Sequence, residues 1–361
     1  MADFPPVYPR NILDEDRQRV LGRPLPRVEG PLKVTGRAPY AYEYAGHGKV
    51  AYGVIVGATV ATGRIAGIDT SQARNAPGVF LVMTHLNAPK QADYVTFDKV
   101  PSPFASYSVA RPFLADDKVR FFGEPVALVV AESFETARDA AARVNVRYAK
   151  GPAPAGRVKP MAAQAYAPKT VRGFIETDSK VGDFTQAFAD APVKIDATYE
   201  TPFKAHNAIE LHASMAVWNG DAVTIYTSTQ LAIDCRDTVA ATLMLPKEKV
   251  RIICKFIGGA FGGKLATEAD VVLSALAARK LGRPVKIAMT RPQTFVNVTH
   301  RTESLQRVRL AAGRDGRLTG LAHQVIEHTS SFDEVTEQTV ESTRNLYAAP
   351  NRLTTHRLVR L

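Results

Sequence analysis

The chain has 361 residues, of which 45% are hydrophobic and 22% charged, a composition that is typical of a globular protein and excludes a disordered one. This length allows two or more domains with cores of their own. The net charge of +11 comes from 46 basic and 35 acidic residues scattered along the chain, a distribution that favours solubility or an acidic partner subunit over nucleic-acid binding. The two cysteines, Cys235 and Cys254, form neither a disulfide framework nor a metal-binding spacing, so we expect both to be buried packing residues.

The N-terminal segment and the longest apolar runs carry no targeting or membrane signal. Residues 1–10 are acidic and contain proline, whereas a signal peptide begins with a basic stretch followed by an apolar one. The apolar runs, such as 50–61 and 125–131, are interrupted by glycine or too short to cross a bilayer. We therefore expect no membrane insertion and no signal of the chain's own, so that any export would depend on a partner.

The first half of the chain predicts an arm, an α+β domain and a linker. Residues 1–30 are rich in proline, arginine and acid, and we expect an arm that orders by docking. Residues 31–150 alternate short strands and helices, whereas the many prolines and alanines of 151–172 indicate a linker. The strands expected in the first domain are 51–61, 64–69, 79–84, 126–131 and 144–148, with helices that begin after Thr70 and at Ser133.

Residues 173–361 predict a second α+β domain with helices and strands mixed along the chain. The last predicted strand is followed by no closing helix, and we expect its continuation to belong to another chain or segment. The expected helices are 184–190, 231–243 and 266–281, and the expected strands are 193–201, 214–218, 222–226, 250–257, 285–289, 305–311, 318–327 and 353–361. Two hairpins are expected among these strands, 214–218 with 222–226 across the turn at 219–221 and 305–311 with 318–327 across the turn at 313–316.

The sequence Gly-Gly-Ala-Phe-Gly-Gly-Lys at 258–264 is the one stretch that reads as a site. Four glycines in six residues cost backbone entropy, for which we expect no packing reason unless the chain must turn tightly or bring its amides against a ligand, and we favour the ligand. The motif lies between a strand-like and a helix-like run, and a glycine turn at a helix N-terminus is a natural anion site.

Nucleotide binding and a structural turn are the two simple alternatives for this motif. Read as a P-loop, the motif has Leu265 where a serine or threonine would hold magnesium. The spacing of the glycines does not match the dinucleotide-binding fingerprint either. A purely structural glycine turn would not explain Phe261, which we expect to be exposed.

Several segments, taken together and in order, resemble the molybdenum-binding subunit of the xanthine dehydrogenase and aldehyde oxidase family, in particular the bacterial periplasmic aldehyde oxidoreductases. The resemblance covers essentially the whole chain. It implies an α+β fold in which an a/b hammerhead domain at 31–150 precedes the first, incomplete part of a molybdopterin-binding domain at 173–361. The segments that carry it are 27–36, 40–43, 76–79, 205–212, 228–230, 258–264 and 299–301.

The resemblance implies a molybdenum cofactor held by a pterin dithiolene, in the form of molybdopterin cytosine dinucleotide, without a protein ligand to the metal. It implies that Gln230 donates its side-chain amide to a molybdenum oxo group and that the turn at 260–261 presents backbone amides to the same ligand sphere. Preorganised donors of this kind stabilise an oxygen that gathers negative charge. The cofactor-binding residues expected on this basis are Gln230, Leu231, Gly259, Ala260, Phe261 and Gly262.

Leu265 carries information about the substrate. Purine-hydroxylating relatives have a glutamate after the motif's lysine, and a leucine leaves the polar edge of a purine unpaired. We therefore expect an aldehyde substrate, with aromatic aldehydes included. The residues His206, Glu210 and His212 lie on the segment that the resemblance places near the pocket, and we expect a supporting role for them at most.

The family's general-base glutamate, in a Gly-Glu-Pro context near the far C-terminus, has no counterpart in this sequence, so we expect no catalytic residue here. Glu124 also stands in a Gly-Glu-Pro triplet, but in the hammerhead segment, and we expect it to be structural. The chain stops about where the family's arginine segment would follow, so we expect the first half of a larger subunit that is inactive alone.

The resemblance also implies partners. These are the C-terminal half of the molybdenum subunit, an iron–sulfur subunit with 2Fe-2S clusters and an FAD subunit. The expected reaction of the complex is oxidation of an aldehyde to a carboxylic acid with water as the oxygen source, in the cytoplasm or, by co-export with a signal-bearing partner, in the periplasm. A non-catalytic scaffold or assembly remnant is the alternative.

Overall fold

The computed structural model describes residues 23–96, 99–100, 107–152 and 156–361. The chain divides into two units, 1–39 and 40–361. In the described part of the first unit, one short helix, α1 (Gly30–Val34), begins with proline in its first turn. Thr35 closes it by donating its hydroxyl to the carbonyl of Pro31 at 2.6 Å. Most of the arm predicted at 1–30 lies outside the described residues.

The described residues of the larger unit form the remaining α-helices and fifteen strands. The helices are α2 (Ser71–Arg74), α3 (Phe134–Ala141), α4 (Val158–Met161), α5 (Phe184–Asp190), α6 (Ala232–Leu243), α7 (Ala269–Leu281), α8 (Gln293–Val296) and α9 (Thr339–Leu346). The strands are β1 (Ala51–Gly57), β2 (Gly63–Asp69), β3 (Val79–Thr84), β4 (Lys118–Val119), β5 (Pro125–Ala131), β6 (Asn145–Lys150), β7 (Ser179–Val181), β8 (Val193–Thr201), β9 (Ala213–Asn219), β10 (Ala222–Thr227), β11 (Val250–Ile253), β12 (Val285–Ala288), β13 (Ser304–Ala312), β14 (Leu318–Thr329) and β15 (Asn351–Arg360).

The central sheet has seven strands in the order β11-β10-β9-β12-β1-β5-β3. Strands β1, β5 and β3 come from the predicted hammerhead segment, and the other four come from the predicted second domain. Strand β12 joins the two groups, because it pairs parallel with β1 and antiparallel with β9. The central sheet is therefore built from strands on both sides of the predicted linker.

One apolar core follows from this shared sheet. Ile55 and Leu128 from the first segment are in the same buried cluster as Ile225, Leu273 and Ile287 from the second. Each of these side chains is at most 4% exposed. The two segments share this cluster because β12 completes the sheet that β1 begins, whereas two smaller buried clusters contain residues of the first segment alone. The boundaries predicted at 150 and 172 stay a prediction.

The other two sheets have the orders β7-β15-β14-β13-β8 and β4-β2-β6. The hairpin of β13 and β14 confirms the prediction, as does the antiparallel hairpin of β9 and β10. The predicted last strand is β15, which runs parallel to β14. The predicted cap at Ser133 is also confirmed, since the hydroxyl oxygen accepts from the Thr136 amide at 3.1 Å.

Three elements are shorter than the sequence predicts. Strand β1 ends at Gly57 instead of at 61, β11 ends at Ile253 instead of at 257, and α7 begins at Ala269 instead of at 266. Between β11 and α7, the amides of Gly258 and Gly262 donate to side chains of other segments, and the Gly263 amide donates to the Ala260 carbonyl. Helix α7 is buried along most of its length, as expected for a helix that is apolar on all faces.

Candidate functional site

The glycine loop, residues 258–264, lies between β11 and α7 without belonging to either. Its backbone is in the left-handed region at Gly259 (φ +96°), Phe261 (φ +55°) and Gly262 (φ +99°). Glycine adopts these angles without steric cost, whereas a phenylalanine there is strained. Strain of this kind persists only where the surroundings hold the backbone in place.

One carboxylate oxygen ties the two ends of the loop together. Oε2 of Glu210 accepts from the Gly258 amide at 2.7 Å, from the Ser228 hydroxyl at 2.9 Å and from Nζ of Lys264 at 2.8 Å. The Glu210 amide also donates to the Gly258 carbonyl at 3.1 Å. The Lys264 side chain is fully buried and that of Glu210 is 13% exposed, so this is a buried ion pair with additional hydrogen bonds.

Two histidines of the same segment hold the far end of the loop. Nε2 of His212 lies 2.7 Å from the Gly263 carbonyl oxygen, and because a carbonyl only accepts, this nitrogen carries the proton and donates. The His206 ring packs against Gly262 and Gly263, and burial lowers its pKa. We call residues 205–212 the clamp segment, since its side chains fix the loop from one side.

This packing corrects our expectation about the glycines. A Cβ at Gly258 would lie 2.5 Å from Cβ of Glu210, and one at Gly263 would lie 2.9 Å from the His206 ring. Such contacts are too short for any side chain, so close packing by itself requires glycine at these two positions. The expectation that packing gives no reason for the glycines is therefore wrong at Gly258 and Gly263.

The geometry also contradicts the P-loop alternative. The strand before the loop ends at Ile253 and the helix after it begins only at Ala269, so the loop does not open a helix N-terminus. Lys264, which would have to reach a phosphate, is instead buried against Glu210. The cation that a P-loop requires is thus neutralised inside the protein.

Gln230 approaches the loop from the start of α6. Its Oε1 accepts from the amides of Gly262 at 3.1 Å and Lys264 at 3.3 Å, and its own backbone amide donates to the Lys264 carbonyl at 2.8 Å. Because both groups that face the side chain are donors, the atom between them is the oxygen. The side-chain Nε2 therefore points away from the two amides and keeps its hydrogens for another acceptor.

The residues predicted to bind the cofactor lie together around this contact. Gln230 and Leu231 precede α6, and the Leu231 amide donates to the Thr229 hydroxyl at 3.1 Å. Gly262 donates to Gln230 directly, Ala260 is buried, and Phe261 is 75% exposed. Gly259, with its positive φ, completes the set. Their assignment to a cofactor stays a prediction.

A cavity of about 1530 Å³ lies on the outer side of the loop. Phe261, Gly262 and Leu265 line it, so the predicted substrate residue and part of the predicted cofactor set face one space. The wall also includes His206 and Glu124. Glu124 forms an ion pair with Arg120 at 2.7 Å, which agrees with the structural role expected for it.

The polar wall of this cavity was not predicted from the sequence. Glu268, Arg111 and Tyr94 all line it. Burial raises the pKa of Glu268 to about 8, because the charged form loses its hydration. Burial also raises the pKa of Tyr94 to about 12. The sequence signal was weak, since a glutamate before an apolar helix usually lies in solvent.

Three smaller findings concern metals, cysteines and membrane-spanning helices. In the part of the chain that the structure describes, no three or more histidine, cysteine, aspartate or glutamate side chains are placed to hold a metal ion. Cys235 is buried as expected, whereas Cys254 is only partly buried. Its sulfur accepts from the Thr229 amide at 3.5 Å, just after the end of β11. Within the same described ranges, none of the helices has the length and apolar character to cross a membrane.

Comparison with known proteins shows the family of this chain. The model of the molybdopterin cofactor-binding domain family matches residues 166–361, and that of the aldehyde oxidase and xanthine dehydrogenase a/b hammerhead domain matches residues 35–152. The chain belongs to the xanthine dehydrogenase and aldehyde oxidase family. Its match to both domains confirms the predicted fold class.

Individual proteins of this family are similar to the chain over most of its length. The aldehyde oxidoreductase molybdenum-binding subunit PaoC of Escherichia coli strain K12 is 41% identical over 348 residues, which are 96% of this chain and 45% of that protein. The xanthine dehydrogenase molybdenum-binding subunit of Escherichia coli O157:H7 is 29% identical over 85% of this chain and 41% of its own length. Among solved structures, the aldehyde oxidoreductase of Desulfovibrio gigas superimposes with a TM-score of 0.75 at 26% identity, over 93% of this chain and 38% of that one. The chain thus spans less than half the length of these family members.

Proposed function

We propose that this chain forms one wall of the molybdenum site in an aldehyde-oxidising enzyme of the family. The cofactor is molybdopterin cytosine dinucleotide, and the reaction converts an aldehyde and water into a carboxylic acid, two protons and two electrons. When bound, the cofactor supplies the two-electron oxidation. The electrons leave through 2Fe-2S clusters and FAD on partner subunits.

The contact between Gln230 and the glycine loop is the observation that carries this proposal. Its Oε1 is held by two backbone amides, so the side chain is fixed and its Nε2 is presented as a donor. A fixed donor that needs no reorganisation stabilises an oxygen atom on which negative charge grows. The backbone amides near Ala260 and Phe261 serve the same purpose in the proposal.

The residues that are present fit such a cofactor. Glu210 neutralises Lys264 inside the protein, so the loop offers neutral amides rather than a charge for phosphate. Neutral donors suit an oxo oxygen on which negative charge grows. Leu265 and the exposed ring of Phe261 give the same cavity an apolar lining for an aldehyde.

The activity is proposed for an assembly. The chain spans 45% of PaoC, and the proposal assigns the general base and the rest of the cofactor pocket to the other part of the subunit. The chain purified alone should then contain no molybdenum by elemental analysis and oxidise no aldehyde. Stoichiometric metal with turnover in the isolated chain would contradict this part of the proposal.

The test of the site uses the assembled enzyme and two glutamine variants. Gln230→Ala removes the fixed donor, and we expect kcat for benzaldehyde to fall about a hundredfold, the usual effect of losing one such donor. Gln72→Ala is the matched control, since Gln72 is exposed on α2, and it should leave kcat unchanged. An equal effect of both substitutions would refute the role of Gln230.

Two further measurements separate the remaining alternatives. Acid hydrolysis of the purified complex should release CMP if the cofactor is the cytosine dinucleotide form. A complex that assembles but contains no molybdenum would support the scaffold alternative instead. The compartment, cytoplasm or periplasm, follows from whether a signal-bearing partner exports the complex, which fractionation of cells would show.

The substrate prediction depends on Leu265 and has its own experiment. An apolar side chain at this position should favour aldehydes, since it cannot hydrogen-bond a purine edge. We expect benzaldehyde to be oxidised with a kcat/KM well above that of hypoxanthine. Preference for hypoxanthine would refute the assignment while leaving the cofactor site intact.

A further inference from the structure

Glu268 is a buried carboxyl group without a structural task. It occupies the N-cap position of α7, yet its side chain makes no capping hydrogen bond. Glutamate is a poor cap compared with aspartate, asparagine or serine, so helix formation does not explain it. The residue is 8% exposed, and burial of an ionisable group in an apolar surrounding is costly unless something compensates for it.

The hydrogen bonds of Glu268 are incomplete. Its Oε1 has no partner within the described ranges of the chain. Such an unpaired buried atom typically costs about 1–3 kcal/mol, and native proteins keep few of them without a functional reason.

A second unpaired group lies on the same cavity wall. Both polar side-chain atoms of Asn297 are buried and lack partners in the part of the chain that the structure describes. The backbone of Thr299 hydrogen-bonds the Glu268 carboxyl, so Glu268 adjoins the segment that carries Asn297. Both residues line the cavity beside Leu265 and Phe261.

The geometry points to a specificity role: we propose that Glu268, with Asn297 lining the same cavity, hydrogen-bonds an uncharged polar substituent of the substrate. The inference rests on the proposed function and deepens it by naming the substrate class. That class is an aldehyde that carries a hydroxyl or amide group at a distance from the carbonyl. A hydroxyl both donates and accepts, so it satisfies a carboxyl group and a carboxamide alike.

The charges around Glu268 agree with this class. Burial raises its pKa, the Arg111 charge opposes the rise and the Asp270 charge adds to it, which together bring the pKa to about 8. At neutral pH the group is therefore mostly protonated, and it can donate as well as accept a hydrogen bond. A neutral polar partner fits such a group better than a cation does.

The experiment compares two variants and a control in the assembled enzyme. Glu268→Leu removes the polar group at similar volume, Glu268→Gln keeps hydrogen bonding, and Glu248→Gln changes an exposed glutamate outside the cavity. The substrates are benzaldehyde and its 3- and 4-hydroxymethyl derivatives. We expect Glu268→Leu to raise KM about tenfold for at least one hydroxymethyl derivative, the worth of one good hydrogen bond.

The other expected results identify specificity rather than stability. KM for benzaldehyde should change less than about twofold in Glu268→Leu, and Glu268→Gln should stay within about threefold of the wild type for every substrate. A change of the same size for all three aldehydes, or no change for either derivative, would overturn the inference. The Glu248→Gln control should match the wild type.

A binding measurement keeps this inference separate from the proposed function. Benzamide and its 3- and 4-hydroxymethyl derivatives serve as unreactive analogues, and calorimetry gives their Kd for wild type and for Glu268→Leu. A loss of affinity confined to a hydroxymethyl analogue supports the inference even if no aldehyde is oxidised. Oxidation of aldehydes with unaltered analogue binding would refute the inference and leave the proposed function standing.

Discussion

Replacing Glu210 by alanine removes the acceptor that holds both ends of the glycine loop. The Gly258 amide, the Ser228 hydroxyl and the Lys264 ammonium all donate to its Oε2. Because the Lys264 side chain is fully buried, the substitution leaves a charge without a partner and without water. Breaking a buried pair in this way costs roughly 3–5 kcal/mol.

The assay is urea unfolding followed by circular dichroism, with two comparison variants. The double substitution Glu210→Gln/Lys264→Met removes both charges, and we expect it to recover most of the lost free energy of unfolding, since an apolar replacement of both partners is often neutral. Asp139→Ala breaks an exposed pair with Arg143, whose side chain is 45% exposed, and should cost about 1 kcal/mol or less.

Hydrogen exchange tests whether the effect is local. In Glu210→Ala, peptides covering 258–264 should exchange faster, because the Gly258 amide loses a bond to a carboxylate, while peptides from α7 should keep their protection. If Glu210→Ala is no less stable than Asp139→Ala and the loop exchanges as in the wild type, the clamp segment does not hold the loop and our reasoning is wrong.

Two further substitutions test the packing and the ionisation around the cavity. Gly263→Ala places a Cβ 2.9 Å from the His206 ring, and we expect a loss of about 1–3 kcal/mol in the same urea assay, as for other overpacked positions. The pKa of Glu268 rises from 4.5 to about 8 on folding, because burial outweighs the opposing charge of Arg111 and the charge of Asp270 adds to the rise. Between pH 4.5 and about 8, the folded state therefore keeps a proton that the unfolded state releases. Stability should therefore fall as pH increases from about 5 to 8, by up to about 1.4 kcal/mol per pH unit, and the difference between wild type and Glu268→Gln should change across this window and level off above it.

Elements that depend on local signals could be predicted from the sequence. Two strand-like runs on either side of a glycine-bearing turn predicted the hairpin of β13 and β14, and Gly316 in that turn has a φ of +83°. The cap at Ser133 is equally local, since the contacting Thr136 amide is three residues away. Both depend on contacts between neighbours in the chain, which short patterns describe well.

The shared central sheet could not be predicted in this way. Its decisive contact pairs Ala51 with Val285, and neither strand carries a mark that identifies its partner. Gly53 is required there, since a Cβ would lie 2.8 Å from Ile287, but a glycine within a strand indicates only a close approach of something. Only the tertiary structure identifies that neighbour as Ile287.

The candidate site was predicted only in part, because some of its contacts also join residues that are distant in the chain. The resemblance found Gln230 and the glycine loop, but the buried pair of Glu210 and Lys264 joins residues that lie 54 positions apart. Glu268 was missed because an acid at the start of a helix normally interacts with solvent and with the helix dipole. Only the tertiary packing around α7 reveals that this one is buried.

The loop uses its two sides for different purposes, and this explains its composition. On the inner side, Glu210 neutralises Lys264 and His212 donates to the Gly263 carbonyl. The lysine charge that would suggest a phosphate site is therefore paired within the protein. On the outer side, the exposed Phe261 ring lines the cavity, and the Gln230 side chain is fixed by the Gly262 amide. What the loop offers a ligand is therefore directional and uncharged, which favours an oxygen held at a fixed position over a multiply charged phosphate that needs a cation.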